Sequence, residues 1–368
     1  MATETTNNKK YNPDFATPPG ETLQETIEEL GMDQRELATR LGMAHKTVNQ
    51  IIHGKAPITH ETAIGLERVT SVPASFWANR EAIYRERLVR MEEAKSLEDD
   101  LEWLSDIPTT ELRKRGFIKA ARKGPKMLEE VLTFFGTNNT SAWRNYWKGF
   151  TDRCRMSARK SVHHETRDAA LATWIRIGEI GAQKIDCKPF DLKRFKDNVC
   201  QIRDLTTLLA NEFISKMESL CADAGVALVL VPKMAKVPWN GACWWMTPKK
   251  AVIELNLRGK TEDQFWFSFF HEAGHIVKQH GKKAVFINSN ADYDSLEKEA
   301  DEFATNTLVP KSRRDEIIGL GTKQAMQSFA NEIGISPGIV AGQYQHITQC
   351  FNYQWLHDLK RRFEWNRA

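Results

Sequence analysis

The spacing of the apolar residues changes near residue 225, and this change constrains the fold more than any other feature of the chain. From about residue 21 to 224 apolar side chains recur every three or four residues, as in amphipathic helices. After Gly225 the short β-branched runs GVALVLVPKM and KAVIELN flank ACWWMT and a Thr-Pro-Lys-Lys turn, and helical spacing resumes near Glu262. The sequence therefore predicts a mainly α-helical protein with a small antiparallel sheet in its C-terminal part.

The length of the chain predicts more than one domain. Its 368 residues exceed the usual size of a single domain, and about 150 residues per domain gives two or three. We predict a flexible arm at residues 1–19, a helical domain at 20–90, a helical middle region at 91–224 and a mixed α/β domain at 225–368.

Neither a membrane span nor a secretion signal is predicted. The longest purely aliphatic run, residues 226–231, is far shorter than the roughly 20 residues needed to cross a bilayer. The N-terminus lacks the apolar core of a signal peptide. The six cysteines include no C-x-x-C pair and are typical of reduced thiols. We therefore expect a cytoplasmic protein with no membrane partner.

Positive charge is concentrated in the middle region. Residues 111–203 contain 21 Lys and Arg against 10 Asp and Glu, whereas residues 1–90 contain 11 against 12. Within it, AWRNYWKGFTDRCRMSARKS interleaves Trp143, Trp147 and other aromatic residues with cations, as binders of single-stranded nucleic acid do. An amphipathic helix that buries these aromatic side chains is the favoured interpretation. The charge still favours an anionic partner, either duplex DNA or an acidic protein.

Two short helices joined by a tight turn are predicted within MDQRELATRLGMAHKTVNQIIHGKAPI. The helices should span residues 34–41 and 45–52, and Gly42 can adopt the positive φ that the turn needs. This is the pattern of a helix-turn-helix, although similar helix pairs occur in proteins that bind no DNA. The predicted DNA-binding residues are Gln34, for a phosphate, and His45, Lys46, Thr47, Asn49 and Gln50, for base edges in the major groove.

The segment around this helix pair resembles a known family. From PPGETLQ through PITHETA to SVPASFWANREAIYRE, about 70 residues closely resemble the HigA-type antidote branch of the repressor-like helix-turn-helix family. The resemblance implies binding of double-stranded operator DNA as a homodimer, and a toxin as a frequent partner. The balanced charge of residues 1–90 departs from the basic footprint expected of a DNA-binding domain.

A second motif, H-E-x-x-H, lies on an apolar helical pattern in FWFSFFHEAGHIVKQHG. His271 and His275 project from one face of the predicted helix, one turn apart, so that two imidazole nitrogens can bind one Zn²⁺. Glu272 lies beside them and can serve as the general base that takes a proton from the attacking water. The sequence therefore predicts one zinc ion per chain.

The third zinc ligand is predicted on a second helix, in EKEADEFATNTLVP. A metzincin would need Gly at position 278 and His at position 281, where this chain has Lys278 and Gly281. Glu297 shares a helix face with alanines that permit close packing, whereas Glu299, the competing ligand, points another way. Asp301, one turn after Glu297, is expected to accept a hydrogen bond from a ligand histidine.

These motifs resemble those of the ImmA/IrrE family of regulatory metallopeptidases. The resemblance covers about residues 225–360, through HEAGH, EKEADEFA, LVP and FANEIGISPGIVAGQYQH. It implies a zincin-like α+β domain and a single-zinc endopeptidase that cleaves or disarms a repressor-like protein. His346, in the last of these segments, is a candidate donor to an oxyanion, although a lone histidine is more often structural.

Two functions are compatible with these observations. The first is a DNA-binding regulator whose zinc endopeptidase domain cleaves a repressor- or antidote-type protein. The second is a toxin-antitoxin antidote or transcription regulator whose metal site is structural or inactive. Glu272 favours the first, because a structural zinc site does not need it.

Overall fold

The chain folds into two compact units, Met1–Leu101 and Glu102–Ala368, in a computed structural model. The mainly helical fold with a small sheet is confirmed. Residues 1–15 of the predicted arm lie outside the part that the structure describes. Within that part, no helix is both long enough and apolar enough to cross a membrane. The described residues are 16–147, 168–237, 239–256, 261–279, 290–351 and 353–364.

The first unit contains five helices around one apolar core. The predicted helix-turn-helix is confirmed, because α2 and α3 have the predicted bounds and Gly42 ends α2 at φ 66°. Asp33 caps α2 by accepting a hydrogen bond from the Glu36 backbone N–H at 2.7 Å. The helices are α1 Pro19–Glu29, α2 Gln34–Leu41, α3 His45–Ile52, α4 His60–Thr70 and α5 Ala74–Asp99.

In the second unit, helices both precede and follow the three strands along the chain. A 3₁₀ turn at Leu101–Ser105 opens it, and residues 140–147 are helical up to the end of a described range. The helices before the sheet are α6 Thr109–Lys114, α7 Pro125–Phe135, α8 Asp168–Lys184, α9 Leu192–Asp204 and α10 Ala210–Asp223. Those after it are α11 Glu262–Val277, α12 Asn290–Leu308, α13 Arg314–Ile318, α14 Lys323–Ile333, α15 Pro337–Thr348 and α16 Gln354–Asp358.

The basic aromatic stretch contributes to the core as far as the structure describes it. Trp143 and Trp147 are buried and pack against Phe135, with ring centroids 5.5 and 5.6 Å apart. The favoured interpretation, a helix that buries its aromatic residues, therefore holds for these two side chains but not for Tyr146, which is 54% exposed. Residues 148–161 of the stretch lie outside the described part.

The sheet is mixed, so the prediction of an antiparallel sheet is wrong in one of its two pairings. The strands are β1 Val226–Leu230, β2 Gly241–Thr247 and β3 Lys250–Leu255, in the order β1-β3-β2. The tight turn between β2 and β3 makes this pair antiparallel, whereas β1 pairs parallel with β3. Residues 231–240 are long enough to carry the chain past β3 to its far edge, which a short hairpin turn would not allow.

The two faces of the sheet meet different helices. One face joins the main core, which includes Ile253 and Leu255 of β3 and Phe269 and Phe270 of α11. The other face meets α8, where Gly181 allows close contact with Val229 of β1.

Glu254 of β3 is buried on the α8 face. Its side chain is 0% exposed, and among the described residues neither carboxylate oxygen has a hydrogen-bond partner. A Cβ added to Gly178 of α8 would lie 2.1 Å from Glu254 Oε2, so only glycine leaves room for this carboxyl group. Burial raises the pKa of Glu254 well above its ordinary value, although the positive charge of Arg115 opposes the shift.

The N-terminus of α11 is clamped by a distant segment of the chain. Arg361 donates its backbone N–H to Glu262 Oε1 at 3.0 Å and its Nε to Oε2 at 2.6 Å, and Glu262 is 0% exposed. The same guanidinium donates to the carbonyl groups of Leu208 and Thr206. These bonds fix the start of α11 relative to α10 and the C-terminal segment.

Candidate metal centre and candidate DNA interface

Three of the predicted ligand side chains meet at one point between α11 and α12. The Nε2 atoms of His271 and His275 are 3.2 Å apart. Glu297 Oε2 lies 3.3 Å from His271 Nε2, and Glu297 Oε1 lies 3.2 Å from His275 Nε2. Two imidazoles and a carboxylate therefore present three donor atoms to a common centre.

This arrangement fits a zinc ion. Ligand atoms about 2.1 Å from a shared zinc at tetrahedral angles lie about 3.4 Å from each other. The two histidine Nε2 atoms are 3.2 Å apart, and each lies at a similar distance from one of the two Glu297 carboxylate oxygens. The donor set of two histidines and one glutamate is that of catalytic zinc sites, which keep a fourth position open for water or substrate.

The charges around the cluster favour a cation. Burial disfavours charge on His271, but hydrogen bonds to Asp301 and Glu297 raise the pKa of this histidine to about 10. Burial also disfavours charge on Glu297, yet its bonds to both histidines lower the pKa of the carboxyl group to about 2. The carboxylates of Asp301 and Glu297 thus stabilise positive charge at the cluster.

Asp301 lies where the sequence predicts it, one turn after Glu297. Its Oδ1 is 3.0 Å from His271 Nδ1 and accepts a hydrogen bond from that nitrogen. This bond leaves Nε2 of the ring directed at Glu297 and His275, so Asp301 fixes the orientation of His271.

Glu299 lies on the exposed side of α12 and pairs with Lys278 at 3.6 Å. Close packing on the opposite side brings Glu297 to the histidines. A Cβ added to Gly274 would lie 3.2 Å from Ala300 Cα, so glycine here lets α12 approach α11. The small alanines of α12 were predictable from their spacing, whereas the matching role of Gly274 was missed.

Glu272 lies against the start of β2. It is 9% exposed, and a Cβ added to Gly241 would lie 3.0 Å from Glu272 Oε1 and 3.1 Å from its Cγ. The missing side chain of Gly241 therefore leaves space for the Glu272 carboxylate beside the strand. The sequence gives no signal for this contact, because Gly241 lies 31 positions earlier and its turn-like neighbours suggest only a loop.

His346 is exposed on α15. Its backbone carbonyl accepts a hydrogen bond from Gln349 Nε2 at 2.7 Å. The oxyanion role of its imidazole stays a prediction.

The predicted DNA-binding residues lie on the outer side of α3 and at the start of α2. His45, Lys46 and Asn49 are exposed, whereas Thr47 and Gln50 are half-buried. The Val48 and Ile52 side chains between them are buried in the core of the first unit. Helical periodicity thus separates a core face from a polar face.

Gln34 is more constrained than the sequence suggests. Its Nε2 donates to Gln24 Oε1 at 2.8 Å, and its Oε1 accepts from Asn49 Nδ2 at 3.2 Å. The side-chain amide therefore links α1 to α3 and orients Asn49. Gln24 was not among the predicted site residues, because its role depends on how α1 packs beside α2.

Two family models match separate parts of the chain. The family described as "Helix-turn-helix" matches residues 23–77, and the family described as "IrrE N-terminal-like domain" matches residues 229–341. The first match contains α2 and α3, and the second contains the three clustered ligands.

Two individual relatives match part of the chain. The uncharacterized HTH-type transcriptional regulator YddM of Escherichia coli K12 is 36% identical over 61 residues, which are 17% of this chain and 65% of that protein. The chain thus spans just under two thirds of this curated relative. The structure of Pseudomonas aeruginosa antitoxin HigA with higBA promoter is 29% identical and covers 23% of this chain and 94% of its own, with a TM-score of 0.22.

Proposed function

We propose that this chain, which joins a helix-turn-helix domain to an IrrE N-terminal-like domain, is a DNA-binding regulator that hydrolyses a peptide bond in a protein target. The observation that carries the peptidase proposal is the convergence of His271, His275 and Glu297 with Glu272 beside them. A structural site requires only ligands. Glu272 adds a buried carboxylate that belongs to no ligand set but lies next to the centre.

His271, His275 and Glu297 would hold the zinc ion, and Asp301 would keep the His271 ring in place. When bound, zinc supplies a Lewis acid that polarises the scissile carbonyl and lowers the pKa of water. The ligand atoms are already positioned by packing of α11 on α12, so the site needs little rearrangement to take up the ion.

Glu272 would move the proton. As a general base its carboxylate takes a proton from the attacking water, and as a general acid it passes that proton to the leaving amine. Its place beside Gly241 keeps the carboxylate at the start of β2, where we propose that the substrate binds. Removal of this group should slow hydrolysis without removing a zinc ligand.

An extended substrate would pair with β2. The neighbouring strand β3 cannot accept a peptide, because it lies between β1 and β2 and is paired on both sides. In the strand order β1-β3-β2, β2 lies at one edge of the sheet, and its first residue, Gly241, lies against Glu272. A peptide added to this edge would place its backbone next to the general base.

The first unit would bind operator DNA through α3. His45, Lys46 and Asn49 are exposed and polar, as residues that read base edges in the major groove must be. We further propose that the unit binds as a homodimer and that the peptidase target is a repressor- or antidote-type protein. The fusion to a helix-turn-helix domain supports a target that acts in the same regulation.

The decisive experiment compares strains that carry the wild-type chain and Glu272→Gln. The purified variant should retain zinc and DNA binding. In cells, the wild type should deplete a specific repressor or antidote protein that accumulates in the variant strain, as measured by quantitative proteomics with and without DNA damage.

Glu299→Gln is the matched control, since it removes an exposed carboxylate from the neighbouring helix. This strain should behave like the wild type. Identical protein fragments and identical regulation in all three strains would overturn the peptidase proposal and leave a DNA-binding regulator with a metal-stabilised domain.

A further inference from the structure

A dense run of positive charge lies in the second unit, outside both candidate sites. Residues 113–126 contain seven Lys and Arg and no Asp or Glu. They form the last turn of α6, the following loop and the first turn of α7. We call six of them the basic patch, because they are exposed: Arg113, Lys114, Lys119, Arg122, Lys123 and Lys126.

The backbone that carries the basic patch is held in place. Glu130 of α7 accepts hydrogen bonds from the backbone N–H groups of Lys119 and Ala120 at 2.6 and 2.8 Å. Arg113 Nη1 donates to the Ala121 carbonyl at 2.9 Å, which folds the end of α6 back onto the loop. The segment is therefore a formed surface and not a chain that would have to be ordered on binding.

Apolar contacts also hold the same segment in place. Leu112 and Ile118 are buried, and the ring of Phe117 packs against that of Phe134 at 5.1 Å. The seventh cation, Arg115, is turned inward, where it pairs with Glu111 at 2.7 Å and donates to the Pro232 carbonyl after β1. The loop thus buries its apolar side chains and one arginine while six cations face solvent.

The basic patch has no local compensation among the described residues. None of its six side chains has an ion pair with a described carboxylate, and Glu111 and Glu130 are engaged as stated above. Clustered like charges repel each other and oppose folding slightly, so such a surface favours a multivalent anion that would neutralise it.

We infer that the basic patch binds the phosphate backbone of duplex DNA beside the operator that α3 reads. This inference rests on the proposed DNA binding by the first unit. Residues 1–90 contain 11 basic and 12 acidic side chains, so that unit supplies little of the general electrostatic attraction on which protein–DNA affinity depends. The basic patch supplies this electrostatic attraction.

The basic patch and α3 can act on the same DNA because they belong to one chain. The basic patch begins 14 residues after α5 ends at Asp99. Once α3 holds its operator, the patch is kept at a high effective concentration of flanking phosphates. Phosphate contacts carry no sequence information, so the patch adds affinity while α3 retains specificity.

The test uses the full chain and an operator obtained by genomic selection with the wild type. Lys114→Gln, Lys119→Gln, Arg122→Gln and Lys126→Gln are combined in one patch variant. It spares Arg113 and Lys123, because their side chains donate to the Ala121 carbonyl and to Ser105 Oγ. The control variant combines Lys193→Gln, Lys196→Gln, Lys216→Gln and Lys323→Gln, four exposed cations on α9, α10 and α14. Both variants lose the same net charge, and circular dichroism checks their folding.

Binding is measured by fluorescence anisotropy over a series of NaCl concentrations. The patch variant should bind roughly tenfold or more weakly at physiological salt, and the slope of log K against log salt should be shallower by about two to four than that of the control. The same difference should appear on duplexes without the operator, since phosphates are common to all.

The outcomes separate the inference from the proposed function. Equal slopes and affinities for the patch and control variants, with operator binding still weakened by Lys46→Ala, would overturn the inference and leave DNA reading by α3 intact. An acidic protein would then be the alternative partner of the patch. Failure of the wild type itself to prefer any duplex would overturn the proposed DNA binding.

Discussion

The outer face of α3 exposes its polar side chains to solvent, whereas the cluster between α11 and α12 buries them. His45 and Lys46 are exposed, so water satisfies their side chains until a partner replaces it. His275 and Glu297 are buried and must satisfy each other. An exposed recognition surface therefore reveals its role only when its partner is present, whereas a buried polar cluster indicates a ligand by its own geometry.

This difference predicts that the largest effects come from the buried cluster. Glu297→Gln should reduce zinc affinity by about 100-fold or more, because an amide oxygen replaces a charged ligand in a site that is already desolvated. Zinc content after dialysis against a graded series of chelator concentrations measures the change.

Glu299→Gln serves as its control and should leave zinc affinity unchanged, because Glu299 pairs with Lys278 on the exposed side of α12. Loss of zinc in Glu299→Gln with retention in Glu297→Gln would reverse the ligand assignment and break the comparison.

Asp301→Asn should have the next largest effect. The asparagine keeps the size of the side chain but loses the charge that holds His271 Nδ1–H, and removal of such a partner typically weakens metal binding by about 10- to 100-fold. Isothermal titration of the metal-free protein with Zn²⁺ measures this change. An affinity equal to that of the wild type would show that His271 is oriented by its packing alone.

Substitutions on α3 should weaken DNA binding and leave stability unchanged. Lys46→Ala and Asn49→Ala should each cost about 1–3 kcal/mol in operator affinity. Their thermal midpoints should stay close to that of the wild type, because both side chains are exposed and Asn49→Ala loses only the exposed hydrogen bond to Gln34. Arg68→Ala, at an exposed position on α4, is the control and should bind as the wild type does. A large drop in stability would contradict the separation of recognition from folding.

The smallest expected effect concerns the buried carboxyl group of Glu254. Burial raises its pKa in the folded state, so the proton-bound form is favoured by folding. The stability that this provides is complete below the ordinary pKa of about 4.5 and is lost as pH rises through the folded pKa. Glu254→Gln stays neutral, so its thermal midpoint should exceed that of the wild type by a few degrees near pH 8 and converge with it near pH 5.

Glu364→Gln, at an exposed position, should follow the pH profile of the wild type. A wild-type profile parallel to that of Glu254→Gln across this range would indicate that the buried carboxylate is compensated when ionised.

Local patterns predicted the parts of the molecule that depend on short sequence separations. The bounds of α2 and α3 follow from helical period and from Gly42, and the facing of His271 and His275 follows from their one-turn spacing. Helical phase also favoured Glu297 over Glu299. In each case the determining neighbours lie within the same helix.

Features that depend on tertiary approach were not predictable. Glu254 follows a β-branched run and would be taken for an exposed strand end, but Gly178 of α8 opens a space that buries it. The parallel pairing of β1 depends on where residues 231–240 cross, and the contact of Gly241 with Glu272 depends on that crossing. The spacing of residues along the sequence does not predict these tertiary contacts.

The clamp of Arg361 on Glu262 also has a consequence for the order of events during synthesis. The two residues are 99 positions apart, and the carbonyl groups that Arg361 also binds lie 153 and 155 positions before it. The first unit ends at Leu101, some 260 residues earlier, and translation at about 5–20 residues per second would separate the two by roughly 13–50 s. We therefore expect each nascent chain to pass through a period in which the first unit is complete but the segment that clamps the start of α11 has not yet been made.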